Sequence, residues 1–422
     1  MPDKDNPAEV KSGTRAILAA LCTGNPDETE TSVQELESLL ETAGGTVAAV
    51  VIQNAEKPNI KTYIGPGKVK EIASFAENDG DIDLVVFDNE LSPAQIGNLE
   101  ELTGIRVIDR TMLILDIFAQ HAVTGEGKLQ VEIACLRYIA PRLTGRGKEL
   151  SRLGGGIGTR GPGESKLEND RRYIRRRIAA LEKELSEVER TRSVQRSSRE
   201  RKSRKTVALV GYTNSGKSTL LNFLTNAGIL AEDKLFATLD PTTRLLTTEG
   251  GVEVLLTDTV GFIDRLPHHL IKAFRSTLDE LRYADIIVHI TDGSDDADEI
   301  CRKSAVTDSL IEELCGAGKP VIRVYNKMDK APADRFVPAG VIEISAKTGA
   351  GVDVLVDKIE QTVRNGRRRV KFTFPAADAG KASVLYKEAE VEETAYDDSG
   401  NLVITAVCEE KEIGRLSGYI SE

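Results

Sequence analysis

Apolar and polar positions follow two different periods along the first third of the chain. The runs 14–21 and 46–52 are short, continuous and aliphatic, which is typical of buried strands. Between them, TSVQELESLLETAGG has the spacing of an amphipathic helix, with Thr31 or Ser32 as its candidate cap. Further elements follow: a helix at 68–77, a strand at 84–87, a helix at 93–102 and a strand at 106–108. This order predicts an α/β domain over 14–120 with a parallel sheet, preceded by a disordered polar tail at 1–13.

A different pattern begins at residue 121. One helical pattern covers 128–139, and a second, with a narrow apolar stripe, runs from 167 to about 196. The segment between them is too rich in glycine for a packed strand or helix, with glycines at 154, 155, 156, 158, 161 and 163. The pattern predicts a helical hairpin over 121–204 that carries a glycine-rich basic loop and ends in a polar linker.

A second series of strands and helices starts at residue 205. Apolar runs predict strands at 206–209, 252–257, 286–291, 321–326 and 341–344, and a closing helix at 352–363. This alternation predicts a doubly wound α/β domain over 205–366. The remaining residues, 367–422, are expected to form a small α+β domain, because strand-like runs recur at 370–374, 389–393 and 402–407.

Charge is unevenly distributed along the chain. The net charge is −11, yet residues 137–205 contain 21 Lys and Arg against 9 Asp and Glu, a local charge of +12. Such a stretch predicts local binding to a phosphate backbone, although a solvated helix face would have the same composition. Five scattered cysteines without a CxxC pair predict reduced, mostly buried thiols. No apolar run approaches the roughly 20 residues of a membrane span, and no signal core is seen, so a cytoplasmic location is expected.

The segment Gly211–Ser218, GYTNSGKS, matches the phosphate-loop pattern GxxxxGK[ST] and directly follows the apolar run VALV. Glycines in such a loop let backbone N–H groups converge on phosphates at the start of a helix. Lys217 would reach the β- and γ-phosphates, and the Ser218 hydroxyl would bind Mg²⁺. The residues predicted to surround the phosphates are Gly211, Tyr212, Thr213, Asn214, Ser215, Gly216, Lys217, Ser218 and Thr219.

Three further motifs follow predicted strands. Asp258-Thr259-Val260-Gly261 offers an aspartate to Mg²⁺ through water and brings Val260 and Gly261 near the γ-phosphate. In Asn326-Lys327-Met328-Asp329, the Asp329 carboxylate would accept hydrogen bonds from the ring N–H and amino group of guanine, which adenine cannot supply. Ser345-Ala346-Lys347 would cover the base through the Ala346 N–H. Four motifs in this order at strand ends predict a Ras-like domain that binds and hydrolyses GTP.

The segment 236–244, FATLDPTTR, is the candidate first switch, with Phe236 and Thr238 near the nucleotide. Thr242 or Thr243 would bind Mg²⁺ when the γ-phosphate is present, and spacing does not choose between them. A plain loop rich in threonine is the alternative. The residues assigned to catalysis are Lys217, Thr243, Gly261 and Asn214, and those assigned to Mg²⁺ are Ser218, Thr243 and Asp258.

Two positions bear on the rate of hydrolysis. Phe262 stands where Ras-like enzymes have the glutamine that orients the attacking water, and phenylalanine cannot hydrogen-bond that water. Slow intrinsic hydrolysis that rises with a partner is therefore predicted. Asn214 matches the asparagine of potassium-stimulated GTPases and would hold K⁺ beside the phosphates; that Asn214 only shapes the loop is an equally strong alternative.

With these residues in place, the chain resembles the HflX family of translational GTPases. The segments that carry the resemblance are TYIGPGKVKEI (62–72), FDNELSPAQIGNLE (87–100), VIDRTMLILDIFAQHAVTGEGKLQVEIA (107–134), RLGGGIGTRGPGESKLENDRR (152–172) and DTVGF (258–262). Ser165 and Ser215 stand where the family often has threonine and alanine, and neither change should alter the chemistry. The resemblance extends from the first domain through the GTPase domain and is loose in the tail.

The resemblance implies a cytoplasmic factor that binds the large ribosomal subunit and dissociates or rescues ribosomes, with GTPase activity stimulated by the ribosome. It also implies ATP binding in the first domain, where the turn 65–68 is the candidate, although a turn that merely starts a helix is the stronger alternative. Basic residues on an accessible loop and helix suit rRNA phosphates. The expected rRNA contacts are Arg146, Arg152, Arg160, Arg171 and Arg175.

Two other functions fit the same sequence. A non-ribosomal GTPase switch would recruit protein partners through the acidic remainder of the chain. An RNA-binding module would use nucleotide for structure only. A monomer is expected in each case.

Overall fold

The computed structural model describes residues 10, 12–144, 162–200, 204–225, 235–236, 241–264, 280–316, 318–332, 335–365, 367–397 and 399–421. Four residues with predicted roles lie outside these ranges: Arg146, Arg152, Arg160 and Thr238. The chain divides into two compact units. The first contains Met1–Val188, Glu232–Asp240 and Arg265–Ser276, and the second contains Glu189–Ala231, Pro241–Asp264 and Thr277–Glu422.

The first unit is built on a four-stranded parallel sheet in the order β2-β1-β3-β4. Strand β1 is buried along almost its whole length, which explains its uninterrupted apolar sequence. The predicted parallel α/β arrangement is therefore confirmed. In chain order the elements are β1 (Arg15–Cys22), α1 (Pro26–Thr42), β2 (Thr46–Asn54), α2 (Pro66–Asp79), β3 (Leu84–Phe87), α3 (Pro93–Thr103), β4 (Arg106–Asp109), α4 (Arg110–His121) and α5 (Gly125–Ile139).

Buried charges at the carboxyl edge of this sheet are paired. Asp109 ends β4 and caps α4, where it accepts the N–H of Met112 at 3.0 Å. Asp88, just after β3, accepts hydrogen bonds from Arg110 at 2.9 Å and from the Ser32 hydroxyl at 2.7 Å. Because an unpaired charge would be costly in this interior, these contacts hold the strand ends and helices in one arrangement.

Helix α6 (Pro162–Glu200) packs beside α5, as the two-helix pattern predicts. Arg177 bonds to Glu132 at 2.7 Å, Arg137 bonds to Glu182 at 2.5 Å, and Leu181 is buried. The helix is longer at both ends than the predicted 167–196. Proline is tolerated in the first turn of a helix, and the flanking Glu and Arg residues favour helix, so the pattern of apolar residues underestimated its length.

The main sheet of the second unit has six strands in the order β10-β9-β8-β5-β7-β6. All neighbours are parallel except β6, which runs antiparallel to β7. Its apolar core includes Leu209, Val288 and Val324 from the strands and Leu355 and Ile359 from the closing helix. The elements are β5 (Lys205–Val210), α7 (Lys217–Thr225), β6 (Thr242–Thr247), β7 (Glu253–Asp258), β8 (Ile286–Asp292), α8 (Ala297–Cys315), β9 (Val321–Asn326), β10 (Ile342–Glu343) and α9 (Val352–Asn365).

The C-terminal residues form a small antiparallel sheet in the order β11-β13-β12. Phe372, Phe374 and Ile404 are fully buried in its own core. This confirms the predicted small α+β region. Its elements are β11 (Arg367–Phe374), α10 (Ser383–Glu388), β12 (Glu390–Tyr396), β13 (Leu402–Glu409) and α11 (Glu410–Arg415).

One sequence-based prediction about local structure is wrong. Helix α1 begins at Pro26 with Asn25 as its cap, and neither Thr31 nor Ser32 caps it. Its polar first turns hide the start from a test based on apolar spacing. Within the candidate first switch, 236–244, strand β6 begins at Thr242, because β7 offers an edge for antiparallel pairing. Within the described residues, no helix is sufficiently long and apolar to cross a membrane.

Candidate nucleotide site

The loop between β5 and α7 is shaped by glycines that admit no side chain. A Cβ on Gly211 would lie 2.1 Å from the Ile290 carbonyl oxygen, and one on Gly216 would lie 2.2 Å from Asn326 Nδ2. Gly216 also has φ +91°, a left-handed conformation that glycine adopts without strain. The loop is thus pressed against the ends of β8 and β9, and its backbone turns directly into the first residues of α7.

Lys217 lies inside this loop. Its Nζ donates to the carbonyl oxygens of Gly211 at 3.1 Å and Tyr212 at 2.8 Å. Burial, opposed by the nearby charge of Asp258, lowers the pKa of Lys217 to about 8. A phosphate placed at the loop would offer this ammonium a stronger partner than the two carbonyls.

Ser218 and Asp258, the predicted Mg²⁺ ligands, lie side by side. The Ser218 hydroxyl donates to Asp258 Oδ2 at 2.6 Å, and the Asp258 side chain is fully buried at the end of β7. A hydroxyl and a carboxylate at this separation form an oxygen donor set of the kind that Mg²⁺ prefers. Nearby, the hydroxyls of Thr213 and Ser215 are buried and have no hydrogen-bond partner among the described residues. The donors present therefore fit a nucleotide phosphate with its Mg²⁺.

The residues after Asp258 are tied to the phosphate loop through the backbone. The Thr213 N–H donates to the Phe262 carbonyl at 2.7 Å, and the Phe262 N–H donates to the Gly211 carbonyl at 3.1 Å. A Cβ on Gly261 would lie 2.8 Å from Thr213 Cα and 3.1 Å from Lys217 Nζ, so only glycine fits there. The Phe262 ring is 1% exposed and belongs to the core.

Tyr212 and Val260 contribute less directly. The Tyr212 hydroxyl accepts the N–H of Asp264 at 2.7 Å, so its side chain braces the segment after Gly261. Val260 is buried. Because both side chains are engaged elsewhere, the predicted contacts of these two residues with the nucleotide would be made by their backbone atoms.

The two candidate switch threonines occupy the start of β6. The Thr243 hydroxyl shares a 3.0 Å hydrogen bond with the Thr257 hydroxyl, and Thr242 is in register with Asp258. Residues directly opposite in an antiparallel pair project to the same face of a sheet, so Thr242 shares a face with the aspartate. The choice between Thr242 and Thr243 as an Mg²⁺ ligand stays a prediction.

Phe236 belongs to the first unit, although it lies in the chain between α7 and β6. Its ring is 2% exposed and meets the Phe118 ring edge to face, with 4.7 Å between the centroids. Its φ is +55°, which is unfavourable for a bulky residue and indicates that the surroundings hold it. The ring is thus engaged in a core contact, and a direct role in holding nucleotide stays a prediction.

The side chains of the predicted guanine-reading motif, 326–329, already make hydrogen bonds, and Asn326 and Asp329 contact different parts of the site. Asn326 is buried; its Nδ2 donates to the Ser215 carbonyl at 2.9 Å, and its Oδ1 accepts the Ala346 N–H at 2.9 Å. The side chain of Asn326 therefore joins the phosphate loop to the 345–347 loop. In this structure the Ala346 N–H, predicted to cover the base, donates to Asn326.

Asp329 is placed for contact with a base. It is exposed at the end of the motif, and its Oδ1 accepts the Ser345 hydroxyl at 2.7 Å. That hydrogen bond holds the pKa of Asp329 below its usual value, so the carboxylate is ionised and able to accept hydrogen bonds at neutral pH. Lys347 is exposed beside this loop.

A doubly wound sheet with this phosphate loop, a hydroxyl–carboxylate pair that suits Mg²⁺ and an exposed carboxylate in the Asn-Lys-Met-Asp motif is the arrangement of the P-loop GTPases. Three family models match the chain in order: "GTP-binding GTPase N-terminal" at 30–119, "GTP-binding GTPase Middle Region" at 121–199 and "50S ribosome-binding GTPase" at 206–327. The chain is 49% identical to GTPase HflX of Lacrimispora saccharolytica over 92% of each chain. It is 39% identical to GTPase HflX of Escherichia coli, covering 93% of this chain and 92% of that one. The chain belongs to the HflX family of GTPases, and it hydrolyses GTP.

The chain is also similar to a solved GTP-binding protein from Sulfolobus solfataricus in complex with GDP. The two are 27% identical, the match covers 83% of this chain and 99% of that chain, and the TM-score is 0.45.

Proposed function

We propose that this GTPase acts on the large ribosomal subunit and dissociates or rescues ribosomes, working in the cytoplasm as a monomer. The observation that carries the proposal is an exposed basic face on α6. Arg171, Arg175 and Arg176 are exposed and enter no ion pair within the described residues, whereas Arg177 on the neighbouring face pairs with Glu132. The family model described as a 50S ribosome-binding GTPase supports the choice of partner.

The spacing of these arginines suits a phosphate backbone. Residues four apart lie on the same face of a helix, so Arg171 and Arg175 point in the same direction, and Arg172 and Arg176 lie beside them. Double-stranded RNA is bound largely through its phosphates and its shape, which such a face can meet without reading bases. The binding should weaken steeply as salt is raised.

Hydrolysis at the site rests on positioning and charge. Lys217 would leave its two carbonyl partners and bind the phosphates, while Ser218 and Asp258 hold Mg²⁺, which would neutralise charge on the transferred phosphoryl group. Gly261 packs against the phosphate loop, so its N–H would contact the γ-phosphate, and Thr242 or Thr243 would pass this contact on to the candidate switch. The buried Phe262 ring supplies no group to orient water.

Co-sedimentation tests the proposal. The protein with a non-hydrolysable GTP analogue should pellet with 50S subunits, and the protein with GDP should stay in the supernatant. Charge reversal of Arg171 and Arg175 should reduce pelleting, while the matched reversal of Arg282 and Lys358, exposed residues outside the basic stretch, should not. A non-ribosomal switch would not pellet in either state, and an RNA-binding module would pellet regardless of nucleotide.

Ribosome dependence of turnover tests the catalytic part. The isolated protein should hydrolyse GTP slowly, because Phe262 cannot orient the attacking water. The 50S subunit should raise the rate, because a partner would have to supply that orientation. A fast rate without ribosomes would refute this reasoning.

Two further proposals concern small ligands. Asn214 is exposed with φ +60°, a conformation that asparagine tolerates, so the residue could either coordinate K⁺ or only shape the loop. Equal rates of GTP hydrolysis in K⁺ and Na⁺ would exclude K⁺ coordination. For ATP, Gly65 caps α2 and Lys68 pairs with Glu71 at 2.8 Å, which accounts for this turn as a helix start. ATP binding there stays a prediction of the family resemblance, which calorimetry with ATP would test.

A further inference from the structure

An aspartate outside the four nucleotide motifs contacts the guanine-reading segment. Asp292 is the last residue of β8, and its Oδ2 lies 2.6 Å from Lys327 Nζ. Its Oδ1 accepts the Ser294 N–H at 2.9 Å and the Ser294 hydroxyl at 2.6 Å. Although burial alone would raise the pKa of Asp292, the hydrogen bonds from Lys327 and Ser294 hold it below its usual value. The carboxylate is therefore charged and fixed at both oxygens.

The backbone beside Asp292 is fitted to the same segment. Asp292 and Asn326 are opposite each other in the β8–β9 register, and the Gly293 N–H donates to the Asn326 carbonyl at 2.6 Å. A Cβ on Gly293 would lie 2.6 Å from Met328 Sδ and 2.8 Å from that carbonyl oxygen, so no other residue fits without a shift. The turn after β8 thus packs closely against the Asn-Lys-Met-Asp segment.

Lys327 needs such support. Its φ is +63°, in the left-handed region that side chains with a Cβ rarely adopt. This conformation turns the chain between Asn326, which ends β9, and the exposed Asp329. With Nζ released, the residue would lose a contact that holds it in this unfavourable region, and Asp329 would lose its fixed direction.

We propose that Asp292 is a positioning residue for guanine recognition: by holding Lys327, it keeps the 326–329 segment in the conformation that presents Asp329 to the base. Asp292 acts through Lys327 and does not touch the nucleotide. The inference rests on guanine recognition by Asp329. Loss of Asp292 should therefore weaken contacts with the base more than contacts with the phosphates.

The test compares GDP with inosine diphosphate, which lacks the amino group that would donate a hydrogen bond to Asp329. In calorimetry, D292A should bind GDP about tenfold more weakly than the wild type and should lose most of the preference for GDP over inosine diphosphate. D292N keeps the size of the side chain and an acceptor oxygen, so its affinity for GDP and its preference for GDP should lie between those of the wild type and D292A. In turnover assays the effect should fall mainly on KM for GTP.

The matched control is D295A. Asp295 pairs with Lys303 at 2.7 Å, with exposure close to that of the Asp292–Lys327 pair, but within the described residues neither side chain hydrogen-bonds or forms an ion pair with the 326–329 segment. D295A should bind both nucleotides as the wild type does. Thermal melts identify any variant that fails to fold, and D292N then carries the test because it is nearly the same shape.

Each remaining outcome is decisive. Unchanged binding in D292A and D292N would overturn the inference, and so would an equal loss for GDP and inosine diphosphate, since that result indicates general damage. D329A separates this failure from a failure of its premise. If D329A keeps the preference for GDP, Asp329 does not read guanine; if D329A loses it and D292A does not, only the role of Asp292 is wrong.

Discussion

Replacing Asn326 with alanine removes a buried side chain that joins two loops of the nucleotide site. The residue is 2% exposed, and its two side-chain hydrogen bonds go to the Ser215 carbonyl and the Ala346 N–H, which belong to buried residues. Each buried polar group left without a partner costs about 1–3 kcal/mol, so the variant should be destabilised by about 2–6 kcal/mol. That is a large part of the stability of an ordinary domain, about 5–15 kcal/mol.

Urea unfolding followed by circular dichroism measures this loss. With an m-value of about 2 kcal/mol/M, the midpoint of the GTPase-domain transition should fall by about 1–3 M. GDP identifies that transition, because a ligand that binds only the folded state raises its midpoint. N326D keeps the acceptor for the Ala346 N–H but places a buried carboxylate oxygen against the Ser215 carbonyl, so it should lose at least as much stability as N326A.

The control is N401A. Asn401 also makes a side-chain hydrogen bond of 2.9 Å, to Asp397, but at the surface of the C-terminal domain, so its loss should leave this transition in place. A midpoint for N326A within about 0.3 M of the wild-type value would refute the reasoning, since about 0.6 kcal/mol is less than one unsatisfied buried group costs.

Three further predictions concern the metal, the phosphate lysine and the Phe236 contact. S218A and D258N should each lower GTP turnover at least about tenfold at limiting Mg²⁺, because each removes an oxygen donor from the predicted metal site. A Mg²⁺ titration measures the apparent metal affinity of each variant, and an unchanged affinity would show that the assignment is wrong. Burial lowers the pKa of Lys217 to about 8, so below pH 8 the charged lysine destabilises the nucleotide-free protein in full. Between pH 8 and 10.5 the folded state binds fewer protons than the unfolded state, and this penalty declines as pH rises. K217M should flatten that part of the stability profile measured by urea unfolding, and an identical profile would contradict the assignment. F236A should lower the free energy of unfolding of the first unit by about 3 kcal/mol, since it empties a buried ring position against Phe118, and a thermal melt unchanged from the wild type would show that the ring contributes no packing.

Features with a local cause could be predicted closely from the sequence. The phosphate loop needs glycines, a preceding strand and a following helix within a few residues, and β5, the loop and α7 appear in that order. Strand β3 at Leu84–Phe87 and strand β9 at Val321–Asn326 match their predicted bounds, because continuous apolar runs between polar turns have few other solutions.

Features that depend on distant partners could not be predicted in the same way. Strand β6 exists because β7 provides an edge, and nothing within TTRLLT demands it. Helix α4 has apolar residues on nearly every side, since Leu113, Ile114, Leu115 and Ile117 are all buried; such a run has no amphipathic period to detect.

The sequence by itself determined the class of protein and its nucleotide, and it predicted the residues that approach the nucleotide, because each motif is contiguous and its chemistry follows from residue type and spacing. Only the tertiary structure decided which of those residues contact and position one another. Asn326 and Ser215 are 111 positions apart in the chain, and Asp292 carries no motif that would link it to Lys327. Parallel strands bring their carboxyl ends to one edge of the sheet, and contacts across that edge are set by strand order and register, which no local pattern encodes.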